Sequence, residues 1–108
     1  MADRQLRDTA RRLREVDHLA PEKRQALAAA ADRLADALAS EDTPPAEAAR
    51  LGDAASDQIE AVNQRHGAGL LRAARERLER AAAAAEARAP VAVGVARQLI
   101  DVLATMGI

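Results

Sequence analysis

The chain ends in "APVAVGVARQLIDVLATMGI" (residues 89–108), which is its most apolar stretch. The β-branched residues of "VAVGV" alternate as in a strand, but no other segment offers a second strand to pair with it. We therefore predict a helix over residues 90–106, ended by Gly107 in the left-handed conformation with Ile108 folded back on Leu103. Apolar side chains cover so wide an arc of this helix that we expect burial on two sides, against the chain and against a second copy.

The rest of the apolar content is mostly alanine. The chain holds 30 alanines against 23 Leu, Val, Ile and Met residues, and it has no aromatic residue. Burying a large aliphatic side chain contributes about 1.5 to 3 kcal/mol, whereas ordering each residue costs about 1.5 kcal/mol. A monomer is therefore only marginally stable on this count, and self-association into a homodimer is the expected remedy.

The length of 108 residues suits a single domain, residues 1–108. Apolar residues recur at spacings of three and four, as on one face of a helix, and prolines and glycines separate the segments. The fold class expected is an all-α antiparallel bundle of four to five helices, with Thr43 as an N-cap and Gly67 as a C-cap. One continuous helix through residues 44–88 is the alternative to two helices there. The predicted helices cover residues 4–18, 21–39, 44–66, 70–88 and 90–106.

The candidate interaction and core residues follow from the same spacing. The C-terminal helix should supply the central seam, and the second helix should face it. The residues expected in this seam are Val95, Leu99, Val102, Leu103 and Met106, opposite Leu27, Leu34 and Leu38.

Two stretches carry a resemblance to a known family. They are "LRDTARRLREVDHLAPEKRQALAAAADRL" (residues 6–34) and "RERLERAAAAAEARAPVAVGVARQLIDVLATMGI" (residues 75–108). The sequence resembles a family of small bacterial helical proteins described as a domain of unknown function, whose members end in a proline-initiated helix closing on "GI". This resemblance implies an all-α fold and no known activity. The chain departs from the family at Ala20, where an aspartate N-cap is usual, and at Ala85 and Ala89, where phenylalanine and histidine are frequent.

The sequence contains few residues or motifs that indicate catalytic activity. The chain has no cysteine, no glycine-rich phosphate loop, and no motif that would activate Ser40 near a helix end or Ser56 on a polar helix face. Glu15 and His18 form an E-x-x-H pair like those of di-metal bundles, but such a site needs a second pair. Only a homodimer could bring two pairs together. We expect no enzyme activity, no cofactor and no catalytic or metal-binding residue.

Arginines recur along two predicted helical regions, which is the observation behind a nucleic-acid alternative. Acids are interleaved with them and the net charge is −1, so a solvated, salt-bridged surface is the simpler interpretation. The leading hypothesis is a non-catalytic interaction or structural module that acts as a homodimer, with a further protein partner left open. The N-terminus lacks a signal peptide, no segment could span a membrane, and the absence of cysteine suits the cytoplasm. The arginines in question are Arg4, Arg7, Arg11 and Arg14, and Arg65, Arg72, Arg75 and Arg80.

Overall fold

The computed structural model describes residues 2–42, 44–64 and 67–106, and within these residues the chain forms five α-helices and no strand. The all-α bundle predicted from the sequence is therefore confirmed. The predicted caps at Thr43, Gly107 and Ile108 lie outside the described residues. The helices are α1 (Ala2–Leu13), α2 (Pro21–Ser40), α3 (Pro45–Asn63), α4 (Ala68–Ala85) and α5 (Pro90–Thr105).

The five helices close into a ring. Helix α1 packs against α2 and α3, α5 packs against α2 and α4, and α3 packs against α4. The ring order is therefore α1, α2, α5, α4, α3, with a smaller contact between α2 and α3 across it. Each of the five helices turns one face toward the core inside this ring.

The core inside the ring is built from leucines separated by alanines. Alanine allows helix backbones to approach closely and has the highest helix propensity, so a thin core can still be densely packed. Each helix supplies at least one large side chain that is fully buried. These are Leu6 and Leu13 from α1, Leu27 and Leu34 from α2, Leu51 and Ile59 from α3, Leu78 from α4, and Leu99 and Leu103 from α5.

Helix α1 ends earlier than its apolar pattern predicts, at Leu13 instead of residue 18. Polar contacts hold the following turn away from helical geometry. The guanidinium of Arg24 donates to the backbone carbonyl of Val16, and the ring of His18 lies 2.9 Å from the carbonyl oxygen of Val62 at the end of α3. Val16 packs against the core although it lies outside the helix. Its apolar spacing therefore resembles that of a residue in a longer helix.

The segment from residue 44 to residue 88 forms two helices, and α3 and α4 pack against each other as a hairpin. The prediction that Gly67 caps the end of the third helix is wrong. Gln64 occupies the C-cap of α3, where its backbone N–H bonds the carbonyl of Glu60. Gly67 is instead the N-cap of α4, with extended backbone angles that any residue can adopt.

The start of α5 is capped from a distance by Glu41. The N-cap residue Ala89 has no side chain that can bond the first helical N–H groups. Glu41, at the C-terminal end of α2, accepts hydrogen bonds from the backbone N–H of Ala92 at 2.9 Å and from that of Val91 at 3.1 Å. A carboxylate at a helix N-terminus also interacts favourably with the helix dipole. Glu41 thus ties α5 to α2.

Replacing Glu41 with alanine should lower the free energy of unfolding by about 1 to 2 kcal/mol, because two backbone donors of α5 lose their acceptor. Urea unfolding followed by far-UV circular dichroism measures this difference, since the chain has no aromatic reporter. Asp42→Ala, at the exposed neighbouring position, is the matched control and should change stability little. Equal stability of the two variants would contradict the capping role of Glu41.

One buried residue of α3 conflicts with the apolar core. Gln58 is fully buried, and neither atom of its side-chain amide has a hydrogen-bond partner among the described residues. An unpaired buried polar group costs about 1 to 3 kcal/mol. The core therefore holds a group that lowers its stability.

Substituting Gln58 with methionine, which has nearly the same length, should raise the free energy of unfolding by about 1 to 3 kcal/mol. The exposed Gln5→Met serves as the control, and a surface substitution of this kind should stay within about 0.5 kcal/mol of the parent. Thermal and urea unfolding would report the change. A destabilised Gln58→Met protein would mean that the amide has a partner in solution.

Candidate functional site

The structure places α5 as the helix that completes the core. Its buried residues are Ala92, Val93, Ala96, Leu99 and Leu103. The expected partners on α2 are buried in the same cluster, namely Leu27, Leu34 and Leu38. The other three residues expected in the seam, Val95, Val102 and Met106, are only partly buried and pack against the edge of the cluster. The line of deepest burial therefore runs through Leu99 and Leu103, to one side of the predicted stripe.

Three partly buried apolar residues of α5, Val95, Val102 and Met106, form an apolar surface with Val91, which is 59% exposed, whereas Ile100 lies on another side of the helix. We call Val91, Val95, Val102 and Met106 the α5 flank. Their separations are four, seven and four residues, which return to the same face of a helix. Gln98, in the middle of the flank, is exposed and uncharged. The α5 flank is therefore an apolar surface that the ring leaves incompletely covered.

Gly94 lies on the exposed side of α5 next to this flank. A methyl group added at Gly94 would meet no atom within 4 Å, so packing inside the chain does not require a glycine there. A glycine within a helix costs about 1 kcal/mol relative to alanine. The contacts within one chain offer no compensation for this cost.

A second large apolar side chain, besides Val91, is strongly exposed, and it lies at the end of the bundle that carries Met106. Leu70, in the first turn of α4, is 60% exposed. Helices α4 and α5 pack together and are joined by residues 86–89 only, so they run antiparallel. The N-terminal turn of α4 and the C-terminal turn of α5, which carries Met106, consequently lie at one end of the molecule.

The opposite end of this helix pair is fixed by charge. The guanidinium of Arg97 donates to the carboxylate of Glu86 at 2.8 Å. This hydrogen bond, together with the positive charge of Arg97, holds the pKa of Glu86 below its usual value. The polar side of α5 is thereby attached to the end of α4, and the α5 flank faces away from it.

Three of the arginines that motivated a nucleic-acid hypothesis, Arg7 and Arg11 on α1 and Arg14 just after it, are engaged in ion pairs, whereas Arg4 has none among the described residues. Arg7 lies 2.8 Å from Asp36 and Arg14 lies 2.8 Å from Asp32, both on α2. Arg11 pairs with Asp8 on its own helix. Carboxylates therefore occupy the groups that would contact phosphates, which weighs against this alternative. Of the remaining arginines, Arg75 pairs with Glu79, Arg72 and Arg80 are exposed, and Arg65 lies outside the described residues.

The E-x-x-H pair does not lie on a helix. Glu15 and His18 follow the end of α1, Glu15 is exposed, and His18 contacts the carbonyl of Val62. The predicted first helix, residues 4–18, included both residues, but α1 ends at Leu13, before them. In the part of the chain that the structure describes, no three acidic or histidine side chains converge as ligands for a metal ion.

Comparisons with family models, with curated proteins and with solved structures gave no match for this chain. Among the described residues, none of the helices has the length and apolar character needed to cross a membrane.

Replacing the buried Leu99 with aspartate should unfold the bundle. The substitution places an unpaired charge at the centre of the core, at a cost of at least about 3 kcal/mol. Ala73→Asp introduces the same charge at an exposed position of α4 and should preserve the fold. Far-UV circular dichroism and the melting temperature distinguish the two variants. Wild-type helicity in Leu99→Asp would show that α5 does not close the ring.

Proposed function

We propose that this chain is a non-catalytic helical interaction module that pairs with a second copy of itself through the α5 flank. The single observation that supports the proposal most is the uncovered apolar surface formed by Val91, Val95, Val102 and Met106. The absence of cysteine favours the reducing environment of the cytoplasm as its location. An all-α fold without known activity is also what the family resemblance of the tail implies.

The spacing of the flank favours a second copy as the occupant. Separations of four, seven and four residues read the same in both directions, with their midpoint between residues 98 and 99. Two α5 helices lying antiparallel around a two-fold axis at this midpoint would place Val91 against Met106 of the second copy. The same axis would place Val95 against Val102 of the second copy. Such self-complementarity is the requirement for a two-fold symmetric interface.

The polar residues near the axis fit this arrangement. Gln98 lies beside the midpoint, and the side-chain amides of two copies can each donate and accept a hydrogen bond. No charged side chain interrupts the flank, so pairing would bury no unpaired ion. Gly94 would allow a second backbone to approach closely, which would offset the cost of glycine in a helix.

A homodimer also answers the shortage of large apolar residues. Leucine, valine, isoleucine and methionine make up 23 of 108 residues. Partly buried side chains on the flank would complete their burial at a dimer interface, and each large aliphatic group fully removed from water contributes about 1.5 to 3 kcal/mol. Association would therefore add stability that one chain lacks.

Light scattering coupled to size exclusion should give twice the chain mass of 11.4 kDa. Refractive index must report the concentration, because tryptophan and tyrosine are absent. We expect Val95→Glu and Val102→Lys to be monomeric when introduced singly and dimeric when combined, because the introduced carboxylate and ammonium would face each other across the two-fold axis. Far-UV circular dichroism verifies that each variant stays folded.

Ala104→Glu is the matched control, because this exposed position lies on the opposite side of α5, and it should leave the mass unchanged. Gln98→Cys gives an independent test in a chain without other cysteines. A short bifunctional maleimide should crosslink Gln98→Cys efficiently and Ala104→Cys poorly. A monomeric parent chain would refute self-association, and a combined variant that stays monomeric would refute the antiparallel register.

A further inference from the structure

A polar cleft runs between α1 and α3, away from the α5 flank. Its volume is about 660 Å³, within the range of about 300 to 1,000 Å³ typical of small-molecule sites. Arg12 on α1 lies 2.6 Å from Glu60 on α3 at one end of the cleft. Arg4 and Asp53 lie in the other part of it. The two helices therefore run side by side in the same direction, with their polar faces lining one groove.

Ser56 is the buried polar group of this cleft. Its side chain is 2% exposed, and its Oγ atom has no hydrogen-bond partner within the described residues. A serine or threonine inside a helix commonly bonds the carbonyl four residues earlier. Thr9, Ser40 and Thr105 all do so, at 2.9, 2.6 and 2.9 Å respectively. Ser56 departs from this behaviour and leaves an unpaired hydroxyl, which costs about 1 to 3 kcal/mol.

The charges of the cleft are almost all paired. Glu60 pairs with Arg12 across the cleft, Asp8 pairs with Arg11, and Asp57 pairs with Arg77 on α4. Arg4 and Asp53 remain. Neither has an ion pair in the described part of the chain. Among the residues that the structure describes, the cleft thus holds one cation and one anion without an ion pair on facing helices, above a buried hydroxyl without a hydrogen-bond partner.

We propose that the cleft between α1 and α3 binds a small zwitterion of the amino-acid or dipeptide type. The carboxylate of the ligand accepts hydrogen bonds from the guanidinium of Arg4, whose planar donors match a carboxylate. The ammonium group of the ligand donates to the carboxylate of Asp53. The Oγ atom of Ser56 is closed to water in the free protein, so a further polar group of the ligand would bond this hydroxyl once the side chains that cover it shift.

The charge balance selects this ligand class. The four arginines in or around the cleft, Arg4, Arg11, Arg12 and Arg77, equal in number the four carboxylates that they face or pair with. A ligand with a large net charge of either sign would leave an excess in a partly desolvated groove, whereas a ligand with separated and balanced charges would not. A nucleic-acid backbone would meet the carboxylates of Asp53 and Asp57 and be repelled.

Titration of the ¹⁵N-labelled full chain with L-serine and with glycylglycine tests the proposal. Both probes at millimolar concentration should cause saturable chemical-shift changes at backbone amides of α1 and α3. N-acetylglycine lacks the ammonium and glycinamide lacks the carboxylate, so each should bind about tenfold more weakly or worse. Binding that tolerates either blocked group would overturn the assignment of a zwitterion.

Three substitutions in the cleft sharpen the test. Arg4→Gln and Asp53→Asn should each weaken binding by about tenfold or more, because each removes a charge-assisted hydrogen bond. Ser56→Ala should weaken binding and leave the melting temperature equal or higher, since the hydroxyl is unpaired in the free protein. Arg72→Gln, exposed on α4, is the control and should bind like the parent.

The absence of saturable shifts with every probe, or equal binding by Arg4→Gln, Asp53→Asn and the parent, would refute the site. This failure is distinguishable from a failure of self-association. The cleft lies on α1 and α3 and the proposed dimer surface on α5, so monomeric Val95→Glu should retain ligand binding.

Discussion

Helix α5 closes the ring by packing between α2 and α4, and the burial of the core relies on this packing. Leu99 and Leu103 are both fully buried, in a core where alanines separate the large aliphatic side chains. Without α5, the inner faces of α2 and α4 would be open to water. Glu41 also holds α5 in place, because its carboxylate accepts hydrogen bonds from the backbone N–H groups of Val91 and Ala92. The C-terminal helix is therefore held both by apolar burial and by a cap supplied from α2.

Charge pairs connect helices that are neighbours in the ring. Acids of α3 are matched by arginines from α4 and from the turn after it, in the pairs Asp57 with Arg77 and Glu47 with Arg88. Exposed ion pairs contribute little individually, about 0 to 1 kcal/mol. They join helices that are neighbours in the ring, and complementary charges of this kind add specificity to which faces meet. Acids of α3 thus pair with arginines of the same molecule.

The molecule has two unusual surfaces, and they differ in kind. The α5 flank has apolar groups that are left partly uncovered, which favours a second chain as the partner. The cleft between α1 and α3 has polar groups that are left partly unpaired, which favours a small polar ligand. Both surfaces break the rule that buried groups are satisfied and exposed groups are polar. Such departures are expected where a protein interacts with something else.

Local sequence patterns were sufficient to predict the helices and part of the core. Spacings of three and four residues identified five helices, with starts at Pro21 and Pro90 that agree with the structure, because a helical period and proline at a first turn are local properties. Leu27, Leu34, Leu99 and Leu103 were recognised in the same way and are fully buried. The end of α1 was misjudged, since the contacts of Arg24 and His18 that end it come from other parts of the chain.

The packing of the helices, in contrast, determines which polar residues are buried and which of them cap another helix. Asp53 and Ser56 have the spacing of a solvent-exposed helix face, and the sequence analysis placed Ser56 on a polar face. The packing of α1 against α3 nevertheless buries the hydroxyl of Ser56. In the sequence, Glu41 is simply one residue of an acidic connection after α2. Its capping role arises because α5 packs against α2. Helical periodicity records which residues of one helix share a face. It carries no information about which two faces meet, because that depends on the summed packing of all five helices.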